Sequence, residues 1–382
     1  MNKTLSFISF LCFAAFYNLQ AQPKQVLEQS LKKMNALKSI RYQNEYISKN
    51  PFSAGDTARG VRKTTLLFDN AGTIKQMSSY NMDINGKLLF KEIYTGDSLY
   101  TIELADSLYS ASVVNNGKVY CEWNNAKELL NTLITGKKPI IQQKDSIVNK
   151  SACFNFLIKT YDTVINNSHH YTHYQLLIDK RTLLPVKIKQ TAEGDAEKGG
   201  YKLGRIQIYK EDDFSGYLEN ENIKPGEFEF KRDGFSLQNT AMLSNGEQIP
   251  ELKVVDLDGK SIPANTFKNK LMLIEFGGTA CPANALANPL LNRLHSKYAK
   301  SEVLIFGIYC DDTALQIKHY LQTNNLTIPI YTGGKKLKKA FKTVGTPGFY
   351  LVNGDGKVLL NSNGYSDTLE SEISKLIDKT LR

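Results

Sequence analysis

One cysteine of this chain lies where a thiol is chemically active. Cys281 follows the apolar run Leu271–Phe276, which has the pattern of a buried strand, and precedes a helical repeat of Leu286, Leu290 and Leu294. The thiol is therefore expected in the first turn of a helix, where free backbone N–H groups and the helix dipole favour negative charge. The thiolate is the form of cysteine that attacks disulfides and peroxides.

Two further residues are expected at the same edge of the sheet. Glu275 is the one acidic residue of the first apolar run, and Cys310 directly follows a second apolar run, Val303–Tyr309. Neighbouring parallel strands end at one edge, about 4.8 Å apart, so Cys310 is a candidate partner of Cys281. The alternatives are that Cys310 is a small buried apolar residue and that Glu275 is an edge residue reaching solvent.

Three histidines, His169, His170 and His173, suggest a metal site, because neutral imidazoles bind zinc. On a strand, however, His169 and His173 would lie about 13 Å apart, and His170 would point to the other face. No cysteine or acidic cluster completes a ligand set in the sequence. We therefore expect a solvated hairpin tip and no metal.

The first residues have the pattern of a secretory signal peptide, residues 1–21. Lys3 supplies a positive charge, the apolar run Leu5–Phe16 is too short to span a bilayer, and Ala21 is a small residue suited to cleavage. An N-terminal membrane anchor is the alternative. Removal of the signal with Cys12 leaves a chain that is periplasmic or secreted and has no membrane span.

Four cysteines would then remain in an oxidising compartment. Besides Cys281 and Cys310 these are Cys121 and Cys153, each in or beside a predicted strand. Cys121 and Cys153 could form one disulfide or stay separate as buried thiols. Four cysteines are too few for a disulfide scaffold in a chain of this length.

Composition restricts the class of protein. The chain has 382 residues, of which 41% are hydrophobic and 23% charged, as in an ordinary soluble protein of two or three domains. The net charge of +10 is spread along the chain. Without zinc-finger spacing or a basic helix, this charge does not indicate nucleic-acid binding.

The pattern of the chain changes near residue 240. A helical stripe over 26–37 is followed by Tyr- and Ile-rich runs separated by turn pairs such as Asn85-Gly86 and Gly96-Asp97. Residues 23–222 are thus predicted to be a mainly antiparallel β domain of the α+β class. Residues 223–244, with Pro225, Gly226 and Gly234 among charges, are predicted to be a linker.

Residues 245–382 alternate strands and helices, which predicts an α/β domain. The order is strand, helix, strand and helix, then a short helix, a hairpin and a final helix. This order gives a mixed sheet with helices on both faces.

This second domain resembles the periplasmic TlpA/ResA-type thioredoxin-like (redoxin) family. Gly246–Pro250 through Asp256–Lys260 is similar to the family's opening hairpin, and Phe276–Asn284 stands where the family has its Trp-rich CxxC segment. Pro289 matches a helix proline, and Val344–Pro347 matches the cis-proline loop. The resemblance implies a thioredoxin-like fold.

The resemblance also implies roles for individual residues. Glu275 would be the buried acid that shuttles a proton, and Thr346 with a cis Pro347 would face Cys281, pair with a substrate strand and exclude metals from the thiol. The chain departs from the family at the second cysteine, which is Asn284. Gly277 and Ala280 likewise stand in place of tryptophans.

A weaker resemblance concerns residues 23–222. The helix followed by a large sheet, and the segment Leu177–Lys187, are similar to LolA/LolB-like lipoprotein carriers, whose fold is a helix-plugged half-barrel. This would imply an apolar cavity between sheet and helix. The alternative is a plain β domain that spaces or dimerises the second domain.

Together these observations predict an exported thiol-disulfide oxidoreductase that contributes to redox homeostasis of the cell envelope. Its predicted catalytic residues are Cys281, Glu275, Thr346, Pro347 and Cys310, its partners are protein thiols or disulfides, and no cofactor is expected. One alternative is an antioxidant one-cysteine peroxidase, although Thr279 lies two residues before the thiol, where peroxiredoxins have a spacing of three. Another is a non-catalytic scaffold whose β domain binds a ligand or envelope partner.

Overall fold

A computed structural model describes residues 23–49, 51, 57–114, 118–198, 201–238, 241–343 and 345–382. The predicted signal peptide and Val344 lie outside these ranges. Within the described ranges, no helix is both long and apolar enough to cross a membrane.

The first part of the chain forms one large sheet with two helices. In chain order its elements are α1 (Pro23–Asn35), β1 (Ser39–Lys49), β2 (Thr57–Phe68), β3 (Ile74–Met82), β4 (Leu88–Tyr94), β5 (Ser98–Glu103), β6 (Leu108–Val113), α2 (Glu122–Thr135), β7 (Ile140–Gln142), β8 (Ser146–Val148), β9 (Ser151–Ile165), β10 (Ser168–Asp179), β11 (Pro185–Lys198), β12 (Tyr201–Glu219) and β13 (Ser236–Leu237).

The strands of this sheet are mostly antiparallel neighbours. Their order is β13-β6-β5-β4-β3-β2-β1-β12-β11-β10-β9-β7, and β8 pairs with β9. The predicted large antiparallel sheet is thus confirmed. Consecutive strands pair because short turns with positive backbone φ join them, as at Gly86 (φ 81°) between β3 and β4.

Both helices pack with the sheet into one apolar core. Val26, Leu27 and Met34 of α1 are buried at helical spacing, and α2 contributes the fully buried Trp123. The indole of Trp123 packs 5.8 Å from the ring of Tyr42 in β1, measured between centroids. Full burial of one aliphatic side chain such as Leu27 stabilises the fold by about 1.5–3 kcal/mol.

The segment predicted as a linker packs in part onto this sheet. Its short strand β13 pairs in parallel with β6, and the ring of Phe230 lies 5.1 Å from that of Tyr109 and 5.5 Å from that of Tyr100. The guanidinium of Arg232 donates a 3.1 Å hydrogen bond to the Tyr100 hydroxyl. Residues 230–237 therefore pack at the β6 end of the sheet.

The second part of the chain forms a separate sheet of five strands. Its elements are β14 (Leu271–Gly277), α3 (Pro282–Tyr298), β15 (Val303–Tyr309), α4 (Ala314–Asn324), β16 (Ile330–Tyr331), α5 (Gly334–Ala340), β17 (Gly348–Val352), β18 (Val358–Asn363) and α6 (Leu369–Thr380).

The strand order of this sheet is β16-β15-β14-β17-β18, with the first three strands parallel and the last two antiparallel. One face packs against α3, α4 and α6, and the other against α5 and the segment around Leu243–Val254. The predicted mixed sheet with cover on both faces is confirmed. Side chains alternate along β14, so Leu273 and Glu275 face α3 while Ile274 and Phe276 face α5.

Candidate active site

Cys281 lies between β14 and α3, at the position that caps the helix. Its backbone is extended, Pro282 occupies the first helical position, and the half-buried side chain makes no capping hydrogen bond. Its Sγ instead donates to the backbone oxygen of Thr346 at 3.0 Å, and the Thr346–Pro347 bond is cis. The structure thus brings together three of the predicted site residues.

A buried threonine fixes the loop that leads to Cys281. The Thr279 hydroxyl donates to Oδ1 of Asp312 at 2.6 Å, and its backbone N–H donates to Oδ2 at 3.2 Å. Asp312 follows β15, so these two bonds fasten the loop to the end of the neighbouring strand. No motif in the sequence points to Asp312; its one signal is its place as an acidic residue just beyond an apolar strand.

Glu275 is fully buried beneath the start of α3. The alternative that it reaches solvent at the sheet edge is therefore wrong. Its Oε1 accepts a 2.6 Å hydrogen bond from Nδ2 of Asn284. Burial raises the pKa of the Glu275 carboxyl to about 8, against the smaller lowering effect of the Asn284 amide. The carboxyl is thus largely protonated near neutral pH.

Asn284 has a contact that its sequence position does not reveal. It stands three residues after Cys281, where the resemblance would place a second thiol, and its side chain is completely buried. The amide reaches Glu275 rather than Cys281. The residue that replaces a thiol thus serves as the hydrogen-bond partner of the buried acid.

The second part of the chain is similar to known proteins. Residues 245–360 match the model of the AhpC/TSA family. Thiol-disulfide oxidoreductase ResA of Bacillus thuringiensis subsp. konkukian (strain 97-27) is 29% identical over 134 residues, which cover 34% of this chain and 78% of that protein. ResA of Bacillus anthracis is 30% identical over 115 residues, covering 30% and 66%. Residues 245–382 are a redoxin segment of the TlpA/ResA type.

Two solved structures are similar to the redoxin segment. The thioredoxin domain of a thiol-disulfide oxidoreductase from Bacteroides vulgatus is 22% identical with a TM-score of 0.33, covering 35% of this chain and 99% of that one. A thiol:disulfide interchange protein of the thioredoxin family from Chlorobium tepidum TLS is 19% identical with a TM-score of 0.33, covering 36% and 99%.

Cys310 lies at the end of β15 but faces away from α3. Its side chain packs with the apolar cluster on the α5 side of the redoxin sheet. Burial, and then the neighbouring Asp311, raise the pKa of the Cys310 thiol to about 11. Cys281 and Cys310 are both free thiols, so the structure does not join Cys281 to its candidate partner.

The two cysteines of the first sheet are also free and buried. Cys121 caps α2, and burial raises the pKa of its thiol to about 11. Cys153 lies in β9, where burial likewise raises the pKa of its thiol. The disulfide that the sequence left open is not formed in the structure.

The three histidines lie in the β9–β10 hairpin, but His170 is buried rather than solvated, and the other two have an acidic neighbour. His169 and His173 approach different oxygens of Asp162, at 2.6 and 3.1 Å from Nε2. The side chain of Tyr171 lies between the two imidazoles, with ring centroids 5.0 and 4.8 Å away. Over the ranges that the structure describes, no group of three His, Cys, Asp or Glu side chains is arranged to hold a metal.

Proposed function

We propose that this protein is a thiol-disulfide oxidoreductase that works through one attacking thiol, Cys281. The observation that carries the proposal is the placement of Cys281, half-buried at the start of α3 and 3.0 Å from the Thr346 carbonyl. The start of a helix favours the thiolate form. The names of the ResA relatives, thiol-disulfide oxidoreductases, support the same class of reaction.

The reaction begins with attack of the Cys281 thiolate on one sulfur of a substrate disulfide. The substrate S–S bond breaks, a new S–S bond joins Cys281 to the attacked sulfur, and the other sulfur leaves as a thiolate. An external thiolate then attacks the substrate sulfur of the mixed disulfide, and Cys281 leaves. One substrate sulfur is reduced and the external sulfur is oxidised, so the electrons balance and Cys281 is regenerated.

Glu275 supplies a proton in this scheme. Because its carboxyl is largely protonated near neutral pH, it can protonate the leaving thiolate and recover a proton from the incoming thiol. Its hydrogen bond from Asn284 places it beneath the first turn of α3. Thr346 and Pro347 act on the substrate side, where their loop borders the thiol and offers backbone to an extended substrate segment.

The resolving thiol comes from outside the redoxin segment. The side chain of Cys310 faces the cluster opposite α3, and its raised pKa leaves few thiolates near neutral pH. These two facts favour Cys310 as a core residue, the alternative left open by the sequence. Asn284 cannot attack sulfur, so release of the substrate depends on a second molecule.

The substrates we propose are protein thiols or disulfides of the cell envelope, reached after export through the signal peptide, residues 1–21. For residues 23–222 we propose a helix-plugged half-barrel. The packing of α1 and α2 in one core with the sheet supports it.

Trapping of the mixed disulfide tests the proposed reaction. Wild type, Cys281→Ser and Cys310→Ser are incubated with oxidised glutathione and analysed intact and as non-reduced peptides by mass spectrometry. We expect one glutathione on Cys281 in wild type and an equal amount in Cys310→Ser, because nothing inside the segment resolves the adduct. Cys281→Ser should carry none.

Three outcomes would count against the scheme in different ways. A Cys281–Cys310 bridge in wild type, with adduct accumulating only in Cys310→Ser, would restore Cys310 as the resolving thiol. No adduct on any of the three proteins would leave the scaffold alternative. A sulfenic acid formed on Cys281 by peroxide faster than disulfides react would favour the peroxidase.

A further inference from the structure

Three buried polar atoms, one of Glu275 and two of its neighbours, have no hydrogen-bond partner among the described residues. They are Oε2 of Glu275, Oδ1 of Asn284 and the hydroxyl of Tyr309. All three side chains are completely buried. A buried polar group without a partner destabilises the folded state, so native proteins seldom leave three in one place.

Two glycines, Gly277 and Gly307, provide the space for this cluster because they have no side chain. Gly277 in β14 pairs with Tyr309 in β15, and Glu275 pairs with Gly307. A Cβ added at Gly277 would lie 2.6 Å from Cζ of Tyr309 and 2.7 Å from Nδ2 of Asn284. A Cβ added at Gly307 would lie 3.1 Å from Oε2 of Glu275 and 3.3 Å from Cε1 of Tyr309. The phenol ring therefore lies beside both the amide and the free carboxyl oxygen.

The donors and acceptors of the three groups match one another. The protonated carboxyl has a proton to donate from Oε2, since Oε1 accepts from Asn284. The Asn284 oxygen can only accept, and a phenol both accepts and donates. A ring of three hydrogen bonds, Glu275 to Tyr309, Tyr309 to Asn284 and Asn284 to Glu275, gives each of the three unpartnered atoms a partner.

We propose that Tyr309 is a positioning residue of the active site, whose hydroxyl closes this ring by a small side-chain movement or through one internal water. The ring holds the Glu275 proton beneath Cys281 while the acid is neutral. When the acid ionises, the phenol turns its O–H toward the carboxylate. Use of that proton in thiol exchange rests on the proposed function, but the ring itself does not.

Other titratable groups surround the ring without replacing the phenol. Tyr320 of α4 lies beside Tyr309, with ring centroids 6.1 Å apart, and its hydroxyl accepts a 3.0 Å hydrogen bond from Asn288. Burial, and next the neighbouring Glu275, also raise the pKa of the Tyr320 phenol. Cys281 and Asp312 also lie nearby. Cys281 is hydrogen-bonded to Thr346, and Asp312 is hydrogen-bonded to Thr279. Burial, and next the neighbouring Glu275, raise the pKa of Tyr309 well above its usual value, so the phenol keeps its proton.

Titration of Glu275 in the full chain tests this role. The carboxyl carbons of glutamate are labelled with ¹³C, and the Glu275 signal is assigned by its loss in Glu275→Gln. Tyr309→Phe removes the hydroxyl and keeps the ring. Tyr320→Phe is the matched control, because it removes a buried phenol from the same neighbourhood. Hydrogen bonds to a carboxylate are stronger than those to a neutral acid, so loss of the phenol penalises the ionised form more.

We expect the midpoint of the Glu275 titration to rise by about one pH unit in Tyr309→Phe and to stay within a few tenths of wild type in Tyr320→Phe. An unchanged midpoint in Tyr309→Phe would overturn the proposal, as would equal shifts in both variants. Trapping of glutathione on Cys281 is scored separately, so absence of adduct with a shifted midpoint would reject the proposed reaction and keep the ring.

Discussion

At the scale of single residues, the buried acid is the feature that distinguishes this site from a surface thiol. Among the described residues, the Glu275 carboxyl has no charged partner, and one amide from Asn284 is its hydrogen-bond donor. Burial penalises the ionised form, which makes the group a proton source near neutral pH. The same burial ties the stability of the protein to pH.

Replacing Glu275 with Gln should remove that pH dependence while keeping the size of the side chain. The pKa of Glu275 is about 8 in the folded chain against an ordinary 4.5, so between about pH 5 and pH 8 the folded state holds a proton that the unfolded state has lost. Its stabilising contribution is complete below the unfolded value and is lost as pH rises through the folded value. We expect wild type to lose roughly 4 kcal/mol relative to Glu275→Gln over this interval.

Urea unfolding of both proteins at the two ends of this interval measures the difference. A constant gap between the two free energies of unfolding would show that Glu275 titrates at the same pH in both states.

The sequence could predict the residues of the site that lie in local patterns. An apolar strand, a cysteine and a helical repeat place Cys281, and the Gly-Thr-Pro motif places Thr346 near it. The contacts of Asn284 with Glu275 and of Thr279 with Asp312 join residues that are 9 and 33 positions apart. These contacts depend on how α3 and the end of β15 pack against β14. The local periodicity of a sequence does not indicate such packing.

At the scale of elements, period-two and helical patterns predicted both sheets and the β9–β10 hairpin. These patterns did not predict very short strands, or contacts that depend on the register between two strands. The two-residue strand β13 pairs with β6 next to the packing of Phe230 on Tyr109. Two residues are too few to show an alternating pattern in the sequence. The pairing of Gly277 with Tyr309 likewise requires the register of β14 against β15, which a single strand does not reveal.

At the scale of the whole molecule, the segment between the sheets should contribute to the stability of the first one. We expect a fragment of residues 23–238 to unfold at a temperature several degrees above that of residues 23–222. It retains the packing of Phe230 and Arg232 on Tyr100 and Tyr109, and aromatic pairs contribute about 0.5–1.5 kcal/mol each beyond buried area.

Thermal unfolding of the two fragments followed by circular dichroism tests this expectation. Phe230→Ala in the longer fragment is the control and should return its midpoint toward that of the shorter one. Equal midpoints for the two fragments would show that the segment adds nothing to the sheet. Two unfolded fragments would mean that the boundary near residue 240 does not separate independent domains.

We expect Cys281 to be the one reactive thiol among the cysteines that the structure describes. Brief labelling of the native protein with iodoacetamide at about pH 7.5, followed by peptide mass spectrometry, compares the four cysteines that the structure describes under one condition. Burial raises the pKa of the Cys121 and Cys310 thiols to about 11 and also raises that of Cys153, so these three have few thiolates. We expect Cys281 to react at least about tenfold faster than any of them. Labelling of Cys310 as fast as that of Cys281, or an inert Cys281, would contradict the claim.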